Sequence, residues 1–395
     1  MSNIYTYYDY MPFDENTISR NELNIADKHK SNPLHWNGQF SPQLVEVLIS
    51  SYCKKNDVIF DPFLGSGTTL LEAGEFNLKA YGTEINYGAI CLANLYTFIN
   101  VEFAKRVIIL DNFEKKLHLN EEKSKNFFSF LSNDLTNANE KKLFEAFVVL
   151  TDFYKNDFSL KWLSNKWNRI KDIVLSLPFS EKNIEVKRND ARCLDMFSNS
   201  CTFVLTSPPY INVFNYHQQY RASVEFLSGS VLPAAQAEIG SNRKNRGNRY
   251  LTVIQYCEDM VKVFSEINRV CKENSHVIFV VGRESSVMKT PFYNGKIIAE
   301  LACGVCGLKP LFRQERNFKN KFGTQIYEDI LHFSSSKVCI NETYLNNFIL
   351  TLLSESIVYA PIEKKEYLNL AIKTYKSKLI SSPEFYVEKL EVVNA

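Results

Sequence analysis

The chain of 395 residues has almost no net charge, since 46 basic and 44 acidic residues leave +2. A chain-wide attraction to nucleic acid is thereby excluded, and any such surface must come from local clustering. No apolar run approaches membrane-spanning length, so no membrane partner is expected. The first residues, Met1 to Tyr7, lack the basic-then-apolar pattern of an export signal. Nine cysteines are scattered, with one Cys-x-x-Cys pair at Cys303 and Cys306. A zinc ribbon needs a second such pair, and none exists. This pair lies in an apolar stretch, Glu300 to Gly307, so buried reduced thiols are expected and no metal site. Free thiols without an export signal imply the cytoplasm. From Val101 to Leu177 there is neither Gly nor Pro, while apolar residues recur at helical spacing, as in Leu143, Phe144, Phe147 and Val148. That predicts a helical insert.

Two stretches carry chemistry. Thr202-Phe203-Val204-Leu205 reads as a buried strand, and Thr206-Ser207-Pro208-Pro209-Tyr210 follows it. Two prolines in a row can continue neither strand nor helix, so the chain turns stiffly at the rim of its sheet. Open α/β sheets bind ligands at that rim. The turn fixes the Ser207 hydroxyl, the Pro208 carbonyl and the Tyr210 ring. Hydroxyl and carbonyl can accept from an amino group, and the ring can stack on a flat heterocycle. Upstream, Val58-Ile59-Phe60-Asp61 reads as a strand, Pro62 to Gly67 as a loop and Thr68 onward as a helix. This order lets backbone approach a cofactor and aims helix N–H groups at an anion. Ala80 to Glu84 is a second strand ending in a carboxylate, placed to accept from ribose hydroxyls.

Asp61-Pro62-Phe63-x-Gly65-Ser66-Gly67-Thr68-Thr69 together with Ser207-Pro208-Pro209-Tyr210 resembles the amino-group DNA methyltransferases that use S-adenosylmethionine. The Ser form of the tetrapeptide is the one most associated with N4 of cytosine. Asn32 to Pro42 is similar to the segment that closes over the cofactor in that family. The resemblance covers roughly residues 30–100 and 183–334. It implies Ser207, Pro208, Pro209 and Tyr210 as catalytic residues. It implies contacts to S-adenosylmethionine from Phe40, Ser41, Asp61, Pro62, Phe63, Gly65, Ser66, Gly67, Thr68, Glu84, Ile85, Asp190 and Thr206. Asp61 would meet the methionyl ammonium, Glu84 the ribose, and Phe40 with Ile85 the adenine. The target base would have to leave the duplex to expose its amine.

The expected fold is α/β, a Rossmann-like seven-stranded methyltransferase sheet with a helical insert and a helical C-terminal tail. Residues 1–29 read as a polar arm or a strap over the sheet. Residues 30–104 and 183–334 would form the catalytic domain, 105–182 the insert, and 335–395 two helices broken near Pro361. Arg243, Lys244, Arg246 and Arg249 form a basic stretch without an acid, the candidate DNA contact. Double-stranded DNA is the expected partner, with a separately encoded restriction endonuclease as a further one. Adenine N6 methylation, an RNA amine, and a non-catalytic DNA-binding protein of this fold stand as alternatives. No Pro-Cys dipeptide occurs, so the usual nucleophile of carbon-5 cytosine methylases has no candidate. Protein glutamine methylation would call for Asn in place of Ser207.

Overall fold

In the computed structural model, residues 5–120, 127–152, 159–212, 216–228, 231–241, 245–320, 323–337, 339–376 and 383–386 are described. Nine strands are found among them: β1 Val58–Asp61, β2 Lys79–Glu84, β3 Ile184–Arg188, β4 Cys201–Thr206, β5 Cys271–Gly282, β6 Glu284–Val287, β7 Thr290–Tyr293, β8 Lys309–Lys319 and β9 Gln325–Ser334. Seven of these form one sheet in the order β3-β2-β1-β4-β5-β9-β8, and β6 with β7 forms a small hairpin. β1 with β2, and β4 with β5, run parallel. β9 runs antiparallel to both β5 and β8. This is the expected Rossmann-like methyltransferase sheet with helical additions. β4 and the Val277–Val281 part of β5 are mostly apolar and buried because both their faces are covered.

By their contacts the residues divide into two units. One comprises Lys28–Lys187 and Tyr216–Ala235. It holds β1, β2 and the insert, whose helices are Phe103–Asn120, Phe127–Asn133, Ala138–Thr151 and Leu160–Ser176. Phe113, Phe147 and Trp167 form its aromatic core, with Phe113 and Trp167 ring centres 5.0 Å apart. The roots of the insert are clasped by Arg106, which is buried. Its guanidinium donates to the carbonyls of Val101 at 2.6 Å, Val174 at 3.2 Å, Leu177 at 2.5 Å and Pro178 at 2.6 Å. An arginine can be buried here because the carbonyls at the two ends of the insert supply its acceptors.

The other unit comprises Met1–Asp27, Arg188–Asn215 and Gln236–Ala395. It holds β4 to β9 and the long helix Tyr250–Val270. Its N-terminal residues are more built than a polar arm. Tyr7 and Tyr8 donate their amides to Glu300, and Phe13 bridges to Arg313 on β8. One of its helices changes pitch, being α over Asn294–Ala299 and π over Glu300–Val305. Cys303 and Cys306 are buried free thiols there, and burial pushes the Cys306 thiol up to about 12. The C-terminal helices are Glu342–Ser356 and Lys365–Tyr375, on either side of Pro361. Arg192 is this unit's buried joint. It pairs with Asp190 at 2.6 Å and Asp259 at 2.8 Å, and donates to the carbonyls of Ala237 and Pro383. No described helix is long and apolar enough to cross a membrane.

Candidate active site

In the unit that holds β1, the glycine loop is built around Asp61, the last residue of that strand. Asp61 is buried, accepts from the Thr69 hydroxyl at 2.7 Å and from the Phe63 amide at 3.0 Å. Those bonds fold Pro62 to Gly67 back over the start of helix Thr68–Glu75. The two glycines serve different ends. A Cβ on Gly67, at φ +92°, would stand 2.8 Å from the Tyr96 ring, so this glycine is demanded by packing. Gly65 has φ +53°, and a Cβ there would meet only the Trp36 indole, at 3.4 Å. Gly65 is thus the place where loop backbone is open to a ligand. Glu84 ends β2 and accepts from the amides of Gly65 at 3.0 Å, Ile85 at 2.9 Å and Asn86 at 2.8 Å. Burial pushes its carboxyl up, and the three N–H donors pull it down.

The Asn32–Pro42 segment is a strap tied at several points. Asn32 accepts from the Thr68 hydroxyl at 3.0 Å and donates to the Phe40 carbonyl at 2.7 Å. Arg169 of the insert grips the Pro33 carbonyl at 2.7 Å. Gln219 and Tyr220 donate to the His35 carbonyl, and Tyr220 stacks on Trp36 at 6.3 Å. Ser41 opens helix Pro42–Tyr52. Phe40, Ser41, Phe63, Gly65 and Ile85 stay partly exposed, whereas Pro62, Ser66 and Thr68 are buried. Trp36 and Arg169 were not singled out in advance. Trp36 lay inside the quoted strap and is one of three tryptophans, which was its signal. The residues fit the expected cofactor: two carboxylates flank a backbone cradle that a Cβ at Gly65 would fill.

In the unit that holds β4, the strand ends at buried Thr206, and Ser207 to Tyr210 turn off its end. Ser207 and Tyr210 are half-buried and Pro208 is buried. Tyr210 is braced on two sides by glycine. A Cβ on Gly282 would stand 2.8 Å from the Tyr210 ring. One on Gly240, at φ +69°, would stand 2.9 Å from the Tyr210 carbonyl oxygen. The Asn212 amide then bonds the Gly240 carbonyl at 2.8 Å, fixing the exit of the turn. The Tyr210 hydroxyl faces Glu328 of β9 at 3.5 Å. Burial first, and the Glu328 charge second, push the phenol far up, so it stays protonated. Glu328 pairs with Arg316 of β8 at 2.9 Å. Gly240, Gly282, Arg316 and Glu328 were missed in the sequence, although β9 carries the acids Glu328 and Asp329 within an otherwise mostly apolar run.

Asp190 lies two residues beyond β3. Both its oxygens are engaged, by Arg192 at 2.9 and 2.6 Å and by the Phe385 amide at 2.9 Å. Of the basic stretch, Arg246 and Arg249 are exposed, and Arg243 and Lys244 lie outside the described residues.

Comparison with known proteins agrees with the motif from Asp61 to Thr69. The family model described as DNA methylase, of the N6/N4 type, matches residues 10–95. A Type II methyltransferase, M.MjaII of Methanocaldococcus jannaschii, is 35% identical over 66 residues, 16% of this chain and 12% of that one. A tRNA (guanine(10)-N2)-dimethyltransferase of Methanothermobacter thermautotrophicus is 37% identical over 71 residues, 18% of this chain and 21% of that one. The chain thus spans between an eighth and about a fifth of these relatives' lengths. A solved SAM-dependent methyltransferase of Methanosarcina mazei aligns over 73% of this chain and 97% of its own, at 11% identity and a TM-score of 0.36. The family match bears out the resemblance over the segment from Phe40 to Ile85, and with the fold it makes S-adenosylmethionine the cofactor.

Proposed function

We infer that this chain, which carries the DNA methylase family's segment at residues 10–95, is a methyltransferase acting on the exocyclic amine of a nucleic-acid base. More narrowly, we propose N4 of cytosine in double-stranded DNA, methylated at specific sites within a restriction-modification or defence system. The observation that carries the reading is the Ser207-Pro208-Pro209-Tyr210 turn at the end of β4, with the Tyr210 ring braced against Gly282.

An amine conjugated to its ring is a poor nucleophile. Ser207 and the Pro208 carbonyl accept its two hydrogens and so draw its lone pair out of the ring. Tyr210 stacks on the base and holds that nitrogen in line for transfer. Most of the acceleration comes from orientation and placed dipoles. S-adenosylmethionine, when bound, supplies an electrophilic methyl group. Asp61 would hold its ammonium, Gly65 would admit its carboxylate to the loop backbone, and Glu84 would take the ribose. Phe40 and Ile85 would cover the adenine. Asp190 and Thr206 complete the proposed set. Asp190 acts there through its place beside Arg192, since its oxygens are already engaged. Arg243, Lys244, Arg246 and Arg249 are proposed to follow the DNA phosphates.

Nucleoside mass spectrometry of DNA and RNA from cells expressing the protein tests this reading. N4-methylcytosine in DNA is expected. N6-methyladenine alone would replace the base and keep the reaction. A methylated amine in RNA alone would replace the substrate, an outcome raised by the tRNA-modifying relative.

A further inference from the structure

The glycine loop has few donors left for an anion. The amide of Phe63 is spent on the Asp61 carboxylate, that of Leu64 on the Thr83 carbonyl, that of Gly65 on Glu84 and that of Gly67 on the Leu64 carbonyl, each at 3.0 Å. The Thr68 hydroxyl donates to Asn32 and the Thr69 hydroxyl to Asp61. Two basic side chains beside the strap are committed as well. Lys30 bonds Glu72 at 2.8 Å and Glu46 at 3.0 Å, and Arg169 holds the Pro33 carbonyl. A carboxylate arriving at Gly65 must therefore find part of its hydrogen bonding elsewhere.

Trp36 brings such a donor. A Cβ on Gly65 would stand 3.4 Å from Cδ1 and 3.6 Å from Nε1 of the indole. The N–H edge of the ring thus borders the space that Gly65 leaves open. Trp36 is buried, and its backbone amide is used on Gln39 at 2.9 Å. Its indole N–H has no hydrogen-bond partner among the described residues. A donor kept from water without an acceptor is destabilising, and an anion in that space would remove the cost.

The indole is also held still. Gln219 grips both its chain neighbours, donating to the His35 carbonyl at 3.2 Å and accepting from the Asn37 amide at 3.0 Å. Tyr220 donates its hydroxyl to the same His35 carbonyl at 3.3 Å. Its ring stacks on the indole, with centres 6.3 Å apart and 29° between the planes. Tyr220 has φ +57°, a backbone conformation that a bulky residue keeps only where its surroundings demand it. A donor fixed in advance loses little freedom when its ligand arrives.

We propose that the Trp36 indole N–H binds the carboxylate of S-adenosylmethionine, which makes Trp36 a cofactor-binding residue and Gln219 and Tyr220 the residues that position it. The inference rests on the reading of Gly65 as the place that admits that carboxylate.

Calorimetric titration of the full chain with two probes tests it. S-adenosylhomocysteine carries the carboxylate. Its decarboxylated counterpart, S-adenosyl-3-thiopropylamine, lacks that group and keeps the ammonium. Trp36→Phe keeps an aromatic ring and removes the N–H. It should weaken S-adenosylhomocysteine about tenfold to a hundredfold, the range for a hydrogen bond to a charged group. Affinity for the decarboxylated probe should stay as in the parent. A tryptophan that only packs would cost both probes alike. That result, or parent-like affinity for both, overturns the inference. Should Trp36→Phe fail to fold, proton NMR of the parent with isotope-labelled tryptophan decides. One of the three indole N–H resonances should move downfield with S-adenosylhomocysteine and keep its place with the decarboxylated probe. Equal movement with both probes, or none with either, overturns the inference. A parent that binds neither probe is a separate result, and it removes the placement of the cofactor at this loop together with this inference.

Discussion

Gly282→Ala gives the sharpest test of the proposed catalytic turn. Gly282 ends β5, and its backbone lies outside the left-handed region, so alanine adds a methyl group without backbone strain. That methyl would stand 2.8 Å from one carbon of the Tyr210 ring and 3.3 Å from two more, where ordinary contact begins at 3.4 Å. The ring must retreat by about 0.6 Å or tilt, because the strand behind Gly282 is paired along its length. Overpacking of this kind costs about 1–3 kcal/mol of stability. The catalytic cost is larger, since displacing an oriented group by about 1 Å can lower a rate roughly a hundredfold. We expect single-turnover methyl transfer to fall by about that factor, with cofactor affinity by calorimetry unchanged. In a Tyr210→Ala background the added methyl meets no ring, and Gly282→Ala should then cost nothing. A parent-like rate in the single variant, or an equal loss in both backgrounds, would refute the argument that Gly282 positions Tyr210.

Three further outcomes follow from other parts of the fold. Gly65→Val should abolish S-adenosylmethionine binding in calorimetry while the thermal transition persists, because its side chain would enter the open face of the loop at φ +53°. Arg106→Met should lower stability to urea by about 3 kcal/mol or more, since the carbonyls at the roots of the insert lose their donor; a drop under about 1 kcal/mol would contradict the clasp. Replacing Arg243, Lys244, Arg246 and Arg249 by Ser should reduce the slope of log DNA affinity against log salt by about 0.9 for every phosphate no longer neutralised, uniformly across sequences. If slope and affinity both match the parent, the DNA-binding surface lies elsewhere.

What the sequence revealed and what it hid divide along separation in the chain. The loop from Asp61 to Thr68 and the turn from Ser207 to Tyr210 are local, and their glycines, prolines and flanking strands announce them. So does the insert, through helical periodicity unbroken by Gly or Pro. The N-terminal residues were opaque because their partners, Glu300 and Arg313, come about 300 residues later. Nothing in a run of tyrosines records that. Glu328 was hidden for the same reason, since its place behind Tyr210 depends on the register of three strands. Gly67 was read as part of a cofactor cradle, yet its glycine is required by the ring of Tyr96, which no spacing rule would show.

The Arg192 joint sets a timetable for the newly made chain. Its acceptors come from residues 190, 237, 259 and 383. A chain leaving the ribosome N-terminus first can at the outset offer this guanidinium only its near neighbour Asp190. Ala237 and Asp259 arrive later, and Pro383 later still. Pairings across such separations are slow to form, because a long loop must close before any interaction compensates. Until then a charged side chain destined for the interior lacks part of its cage, and apolar surface beside it stays open to other molecules. The Arg192 cage is therefore incomplete until Pro383 has been made, even though the loop from Asp61 to Thr68 was made long before.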